Sequence, residues 1–232
     1  MTTFFRRRLQ RRQPHPLLVE NNRYFAVFDQ SRPLSSYGFV VFDTELTGLN
    51  RRRDEIISIG AVRITDLRID LDATFHRHIR PRNVRHNRAT FIHQITPEQL
   101  RNASPMEEVL PEFIEFVGTS LIVGHFLDLD MHFLNRATRQ VLDGTPANPG
   151  IDTMRLAQGY NRRKLGYFRD RSSETTSYRL NDLCREYNLP LFRAHDALED
   201  AMQTAYLFLF LVKKFRKGGL VTLRDLYKAG RG

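Results

Sequence analysis

The chain has 232 residues, 41% of them hydrophobic, which suits one domain with a sizeable core and an additional arm. Its single cysteine, Cys184, excludes an intrachain disulfide and a thiolate zinc cluster, and no apolar run approaches the roughly 18 residues of a membrane span. A formal charge of +10 and a pI near 10.2 point to a polyanionic partner, nucleic acid ahead of an anionic membrane surface.

Residues 1–34 read as a basic arm. Arg6-Arg7-Arg8 and Arg11-Arg12 cluster there, no acid precedes Glu20, and the apolar stretch of a secretory signal is absent. Leu17 to Phe28 fits a short helix with Leu18, Phe25 and Phe28 available to dock. Arg32-Pro33-Leu34-Ser35-Ser36 reads as a linker, and the domain proper is expected over residues 35–232.

Phe39-Val40-Val41-Phe42 is apolar, β-branched and aromatic, the signature of a buried strand. Asp43 and Glu45 follow, two apart and so on one face of an extended chain. Side by side, two carboxylates call for a counter-charge, and a hard divalent cation is the usual one. By itself the motif is read equally well as two solvated acids at a strand end. Glu55 to Thr65 reads as a second strand and Ile69 to Ile79 as a third, on which His76 and His78 fit a basic edge better than a metal site. Thr96-Pro97 starts a short helix, with Thr96 as its cap, and Met106 to Val117 has helical apolar spacing. Leu121 to His125 is a short buried strand, Asp128 to Val141 a helix, and Ile151-Asp152-Thr153 a last strand leading into a helix from Met154 to Gly159. Asn161 to Ser177 reads as a polar, substrate-facing loop. A helix over Leu180 to Tyr187, a long helix from near His195 to Phe215, and a capping box at Thr222 and Asp225 complete the chain. The order of elements is that of an α/β domain with a mixed sheet.

Two further acidic stations stand out, Asp130 near one helix start and Asp200 near another. With them the chain resembles the DEDD superfamily of 3′→5′ exonucleases, in the branch carrying a catalytic histidine. Its familiar member is the proofreading epsilon subunit of bacterial DNA polymerase III. The resemblance rests on Phe42-Asp43-Thr44-Glu45-Leu46-Thr47-Gly48, on Gly124-His125 with Asp130 downstream, and on His195 followed by Asp200. Weaker echoes are Ile92-His93-Gln94-Ile95-Thr96 and Ile151 to Ala157. Phe126 departs from the pattern, standing where the family has Asn, and Asp128 competes with Asp130 for the second motif. The spacing from Asp130 to Phe133-Leu134 favours Asp130.

The resemblance implies a ribonuclease H-like α/β fold, a five-stranded mixed sheet flanked by helices. It implies that Asp43, Glu45, Asp130 and Asp200 hold two Mg²⁺ or Mn²⁺ ions, and that His195 is the general base, as suits a side chain that exchanges a proton near neutral pH. Leu46, Thr47, Leu49, His93 and His125 are expected to contact the terminal nucleotide. The implied reaction is hydrolysis of the terminal phosphodiester of single-stranded or frayed DNA, releasing nucleoside 5′-monophosphates. The alternatives are an exonuclease for RNA or oligoribonucleotides and a non-catalytic nucleic-acid-binding module. The expected partners are nucleic acid, DNA before RNA, and a DNA polymerase or repair complex, with no membrane. The expected setting is the bacterial cytoplasm and nucleoid, in replication or repair.

Overall fold

Phe39–Leu46 (β1) is the strand from which the sheet is built. Its first four residues are buried on both sides, and burial then alternates as the strand runs toward its carboxyl end. A computed structural model describes residues 13–82, 93–166 and 177–230. The arginine cluster at 6–12, Phe91 and Ile92 of the segment before Thr96, and residues 167–176 of the expected loop lie outside the described residues.

Ile56–Thr65 (β2) pairs antiparallel with β1, and Arg68–Arg80 (β3) antiparallel with β2. Leu121–Gly124 (β5) and Gly150–Asp152 (β6) extend the other side in parallel. Ser104–Pro105 (β4) pairs with the far end of β3. Among the described residues the sheet is thus six-stranded and mixed, in the order β4-β3-β2-β1-β5-β6. The resemblance implied five strands; the sixth is the two-residue β4, too short to leave a sequence pattern. Because β1, β5 and β6 are parallel, their carboxyl ends share one edge of the sheet, where open α/β sheets bind ligands.

Helices cover both faces. On one lie Pro16–Phe25 (α1), Met106–Val117 (α3) and Asp128–Val141 (α4), which bury Val40, Phe42, Ala61 and Phe75 of the sheet. Phe113 of α3 stacks at tilted angles against Phe42 and Phe75, 5.5 and 5.3 Å between centroids. Pro97–Asn102 (α2) begins at Thr96, whose hydroxyl accepts from the Gln99 amide while the Gln99 side chain caps Thr96 in return. The other face is covered by Thr153–Gly166 (α5), Leu180–Glu186 (α6), Ala197–Lys217 (α7) and Leu223–Gly230 (α8), which close over Phe39, Val41, Val62 and Ile64. The expected loop after Asn161 is therefore helical as far as Gly166; α5 packs against α7 and α8, with the Arg163 guanidinium over the Phe215 ring at 5.4 Å. The helix expected over Leu17 to Phe28 is α1, which starts one residue earlier and stops at Phe25. Leu18 is fully buried, and the Asn21 amide donates to the Gly118 carbonyl at 3.0 Å and to Asn148 at 2.7 Å.

The seat of α7 depends on a missing side chain. Gly60 of β2 is the register partner of Asp43. A Cβ added there would lie 2.1 Å from the backbone of Ala197 and Leu198. The first turn of α7 therefore rests directly on the strand beside Asp43, and only glycine permits that approach. Gly60→Ala should lower the urea midpoint by an amount worth about 1–3 kcal/mol of overpacking. Gly38→Ala, whose methyl would meet the Ser120 hydroxyl at 3.3 Å, should cost less. Equal midpoints for the two variants would contradict this account of how α7 is seated.

Candidate active site

Three chain segments that are distant in sequence deliver carboxylates to one place. β1 contributes Asp43 and Glu45 at its carboxyl end, on the face covered by α7. Asp200 stands in the first turn of α7 and Asp130 in the first turn of α4. Acids in first helical turns are favoured by the exposed amide groups there. One ligand atom from each of Glu45, His195 and Asp200 lies within 4.8 Å of the others. A cleft of about 540 Å³ opens over the group, lined by Asp43, Asp200 and His195 and walled by Phe126 and Arg179.

Local bonds set each group. Asp196 caps α7, accepting from the amides of Leu198 and Glu199 at 3.0 and 3.2 Å. The long helix thus begins at Ala197, and His195 stands just before it with φ at +67°. The His195 amide donates to the Asp200 carboxylate at 2.8 Å, tying the two together while the imidazole stays exposed. Asp130 accepts from the Thr44 amide at 3.2 Å and the Thr44 hydroxyl at 2.5 Å. Thr44 points to the α4 face while its neighbours point to α7, so one strand end serves both layers. Asp128 takes no part: it is exposed and pairs with Arg155 at 2.6 Å. Helical direction separates the two acids that the sequence leaves in competition.

The electrostatics are those of a site that wants a cation. Burial, and then the charges of Asp130, Asp200 and Glu45, push Asp43 well above the ordinary carboxylate range. Burial and Asp200 push Glu45 up to about 8. Burial raises Asp130 to about 7 against the opposing hydrogen bond from Thr44. Burial also raises Asp200, against the opposing His195 amide. Among the described residues no lysine or arginine forms an ion pair with any of these four. The donors are oxygen-rich with one imidazole, a set that fits a hard divalent cation.

The expected nucleotide contacts are distributed unevenly. His93 is buried, its Nδ1 accepting from the Ile95 amide at 3.0 Å, and it lines a smaller cleft of about 160 Å³ together with His195. His125 lines the main cleft, but both ring nitrogens are occupied. Nε2 donates to the Tyr178 carbonyl at 2.9 Å and Nδ1 meets the Thr153 hydroxyl at 2.8 Å. A carbonyl only accepts, so Nε2 carries the hydrogen, and burial lowers this imidazole to about 4. The Leu46 side chain is buried in the core. The Thr47 hydroxyl donates to Asp54 at 3.0 Å, and Leu49 is exposed.

Sequence reasoning passed over several participants. Gly60 was signalled by a glycine within a strand pattern. Thr44 lay between the two acids. Asp152, at the end of β6, accepts from the Phe126 amide at 3.3 Å and the Met154 amide at 2.9 Å. Arg179 left no local signal. Phe126 is 47% exposed with φ at +56°; a side chain of that bulk in the left-handed region costs about 1–2 kcal/mol.

A family model described as exonuclease, RNase_T, matches residues 40–208. A DNA polymerase III PolC-type protein of Thermotoga petrophila is 38% identical over 209 residues, 90% of this chain and 14% of the relative. Its namesake in Staphylococcus haemolyticus is 31% identical over 210 residues, again 90% of this chain and 14% of the relative. The chain thus spans about 14% of the length of these relatives. Among solved structures, exonuclease X in complex with 5′ overhanging duplex DNA aligns with a TM-score of 0.59 at 23% identity, covering 83% of this chain and 99% of that one. Escherichia coli exonuclease I in complex with a dT13 oligonucleotide aligns at 0.64 and 16% identity, covering 78% and 42%. The architecture is the expected ribonuclease H-like one. With a matching model over most of its length and this shared fold, the chain belongs to the exonuclease family, of the DEDD type, and is related to one stretch of the PolC-type DNA polymerase III proteins.

Proposed function

We propose that the chain is a metal-dependent 3′→5′ exonuclease that removes nucleoside 5′-monophosphates from single-stranded or frayed DNA. The observation that carries this reading is the gathering of four carboxylates, Asp130 buried and the other three half-buried, with one exposed imidazole at the end of β1, beside an open cleft. Asp43, Glu45, Asp130 and Asp200 would hold two Mg²⁺ or Mn²⁺ ions, with Asp43 shared. When bound, such ions would neutralise charge gathering on the attacking, leaving and non-bridging oxygens of the phosphodiester. His195 accepts the proton of the attacking water on its imidazole, held in place through its own backbone bond to Asp200. Arg179, on the cleft wall, attracts the phosphate backbone. DNA is preferred to RNA because the similar polymerases and exonucleases carry DNA in their names. The same names favour a DNA polymerase as partner, in bacterial replication or repair.

In a digestion series with 5′-labelled single-stranded DNA, duplex DNA and RNA, shortening from the 3′ end is expected with Mg²⁺ or Mn²⁺ and not with EDTA. Asp43→Ala should abolish it with the fold intact. A variant retaining the parental rate would refute the site, and faster digestion of RNA would reverse the substrate. His195→Ala should lower kcat about 10²–10⁴-fold, the usual contribution of a general base; an unchanged kcat would assign the proton elsewhere.

The charge cluster also sets a pH dependence. Glu45 titrates ordinarily at 4.5 and at about 8 in the folded chain, so across that window the metal-free folded state keeps a proton that the unfolded state has lost. Stability therefore falls as pH rises. Burial lowers His125 from 6.5 to about 4, a contribution of opposite sign that is complete above pH 6.5. From about pH 6.5 to 8 the metal-free midpoint should thus drop, and Mn²⁺ should restore it. Asp43→Asn should raise the metal-free midpoint at pH 8 by several degrees, at about 2–4 °C per kcal/mol for a chain of this size, and should lose most of the Mn²⁺ response. An undiminished response in that variant would place the cation elsewhere.

A further inference from the structure

Phe126 is the residue at which local structure and folding economy disagree most. The residue is 47% exposed, and its backbone φ is +56°. The left-handed region suits Asn far better than a bulky aromatic side chain. Asn would relieve the backbone and remove an apolar ring from water, so neither packing nor propensity accounts for Phe126. Strain of this kind persists where the surroundings impose it.

Those surroundings hold the backbone from both sides. The Phe126 amide donates to Asp152 at 3.3 Å, and its carbonyl accepts from the Leu129 amide at 3.1 Å, at the start of α4. His125 meets the ring edge-on, with 4.8 Å between centroids and 74° between planes. That imidazole is itself fixed at both nitrogens, by Thr153 and Tyr178. The ring lines the same cleft as Asp43, His195 and Asp200, with Arg179 nearby. A solvent-facing aromatic ring braced from one side, beside a cationic wall, is what a single-stranded nucleic acid needs from a protein: a face for a base and a charge for its phosphate.

We propose that Phe126 is a stacking platform for one of the last two bases at the 3′ end of a single strand bound in this cleft. The assignment rests on the exonuclease reading for its strand polarity and defines a contact with the base, where the acids and His195 act on the phosphodiester. It makes the site selective for an end that carries bases and is not held in a duplex. Every base has a π-face, so the contact is indifferent to sequence.

The test uses the full chain and single-stranded DNA with 2-aminopurine at the last or next-to-last position, in EDTA so that nothing is cleaved. The parent should quench the fluorescence at one of the two positions. Phe126→Ala and Phe126→Asn should lose the quench, Phe126→Trp should keep it, and Phe126→Asn should also raise the thermal midpoint. With Mg²⁺, the parent should cleave ends bearing both bases about 5- to 150-fold more efficiently than ends with an abasic residue at the quenched position, the range expected of one stacked base. In Phe126→Ala that ratio should approach one. A parent that does not quench, or a Phe126→Ala variant with undiminished quench and ratio, overturns the platform. A parent that quenches but cleaves neither substrate with any metal overturns the exonuclease reading and leaves the stacking contact standing.

Discussion

The structure is organised by the repulsion among four buried or half-buried carboxylates that no lysine or arginine of the described residues pairs with. Asp43, Glu45, Asp130 and Asp200 come from three segments, and each is raised above its ordinary range chiefly by burial. Such a cluster opposes folding, so the rest of the molecule must hold it together. The means are a fully buried central strand, a glycine that lets a helix rest on the neighbouring strand, and hydrogen bonds aimed at individual carboxylates. Asp130 takes two from Thr44 and Asp200 takes one from His195. Hydrogen bonds of this kind favour the charged form and partly offset the cost of burial. A bound cation would offset the remainder, so occupancy and stability are linked.

The two layers of helices divide the work. α7 carries Asp200 to the strand end from one face, and α4 carries Asp130 from the other. Both meet β1 because its alternation turns Asp43 and Glu45 toward α7 and Thr44 toward α4. The first turns of both helices face the site, bringing the positive ends of their dipoles to the carboxylates. Away from the site, α1 is fastened by Asn21 and Asn148, which also tie the turn after α3 to the approach to β6. That clamp braces the parallel strands whose carboxyl ends form the floor of the cleft.

His125 and Phe126 show how adjacent residues can play different parts. The histidine, expected to contact the terminal nucleotide, spends both nitrogens on Thr153 and Tyr178 and so joins β5 to the chain entering α6. The phenylalanine stands exposed on that support in a conformation that disfavours it. A strained residue on a rigid base is a pattern of binding sites, because a fixed ring loses little freedom when a ligand stacks on it.

Much of this was legible in the residues themselves. Strand alternation places Asp43 and Glu45 on one face without reference to anything distant. The caps at Thr96 and Thr222 are local bonds between residues three apart, and the apolar spacing of Met106 to Val117 is a property of that segment alone. The resemblance named the acids and the histidine in their order along the chain. Tertiary structure decided what depends on the meeting of remote segments. It put Asp130 in the cluster and Asp128 outside, turned Leu46 into the core, committed both nitrogens of His125, carried α5 beyond its expected end, and gave Gly60 its purpose as the seat of α7. The physical reason is that periodicity and capping act over a few residues and fix direction, whereas distance, burial and charge at a site arise only when packing brings separate segments together.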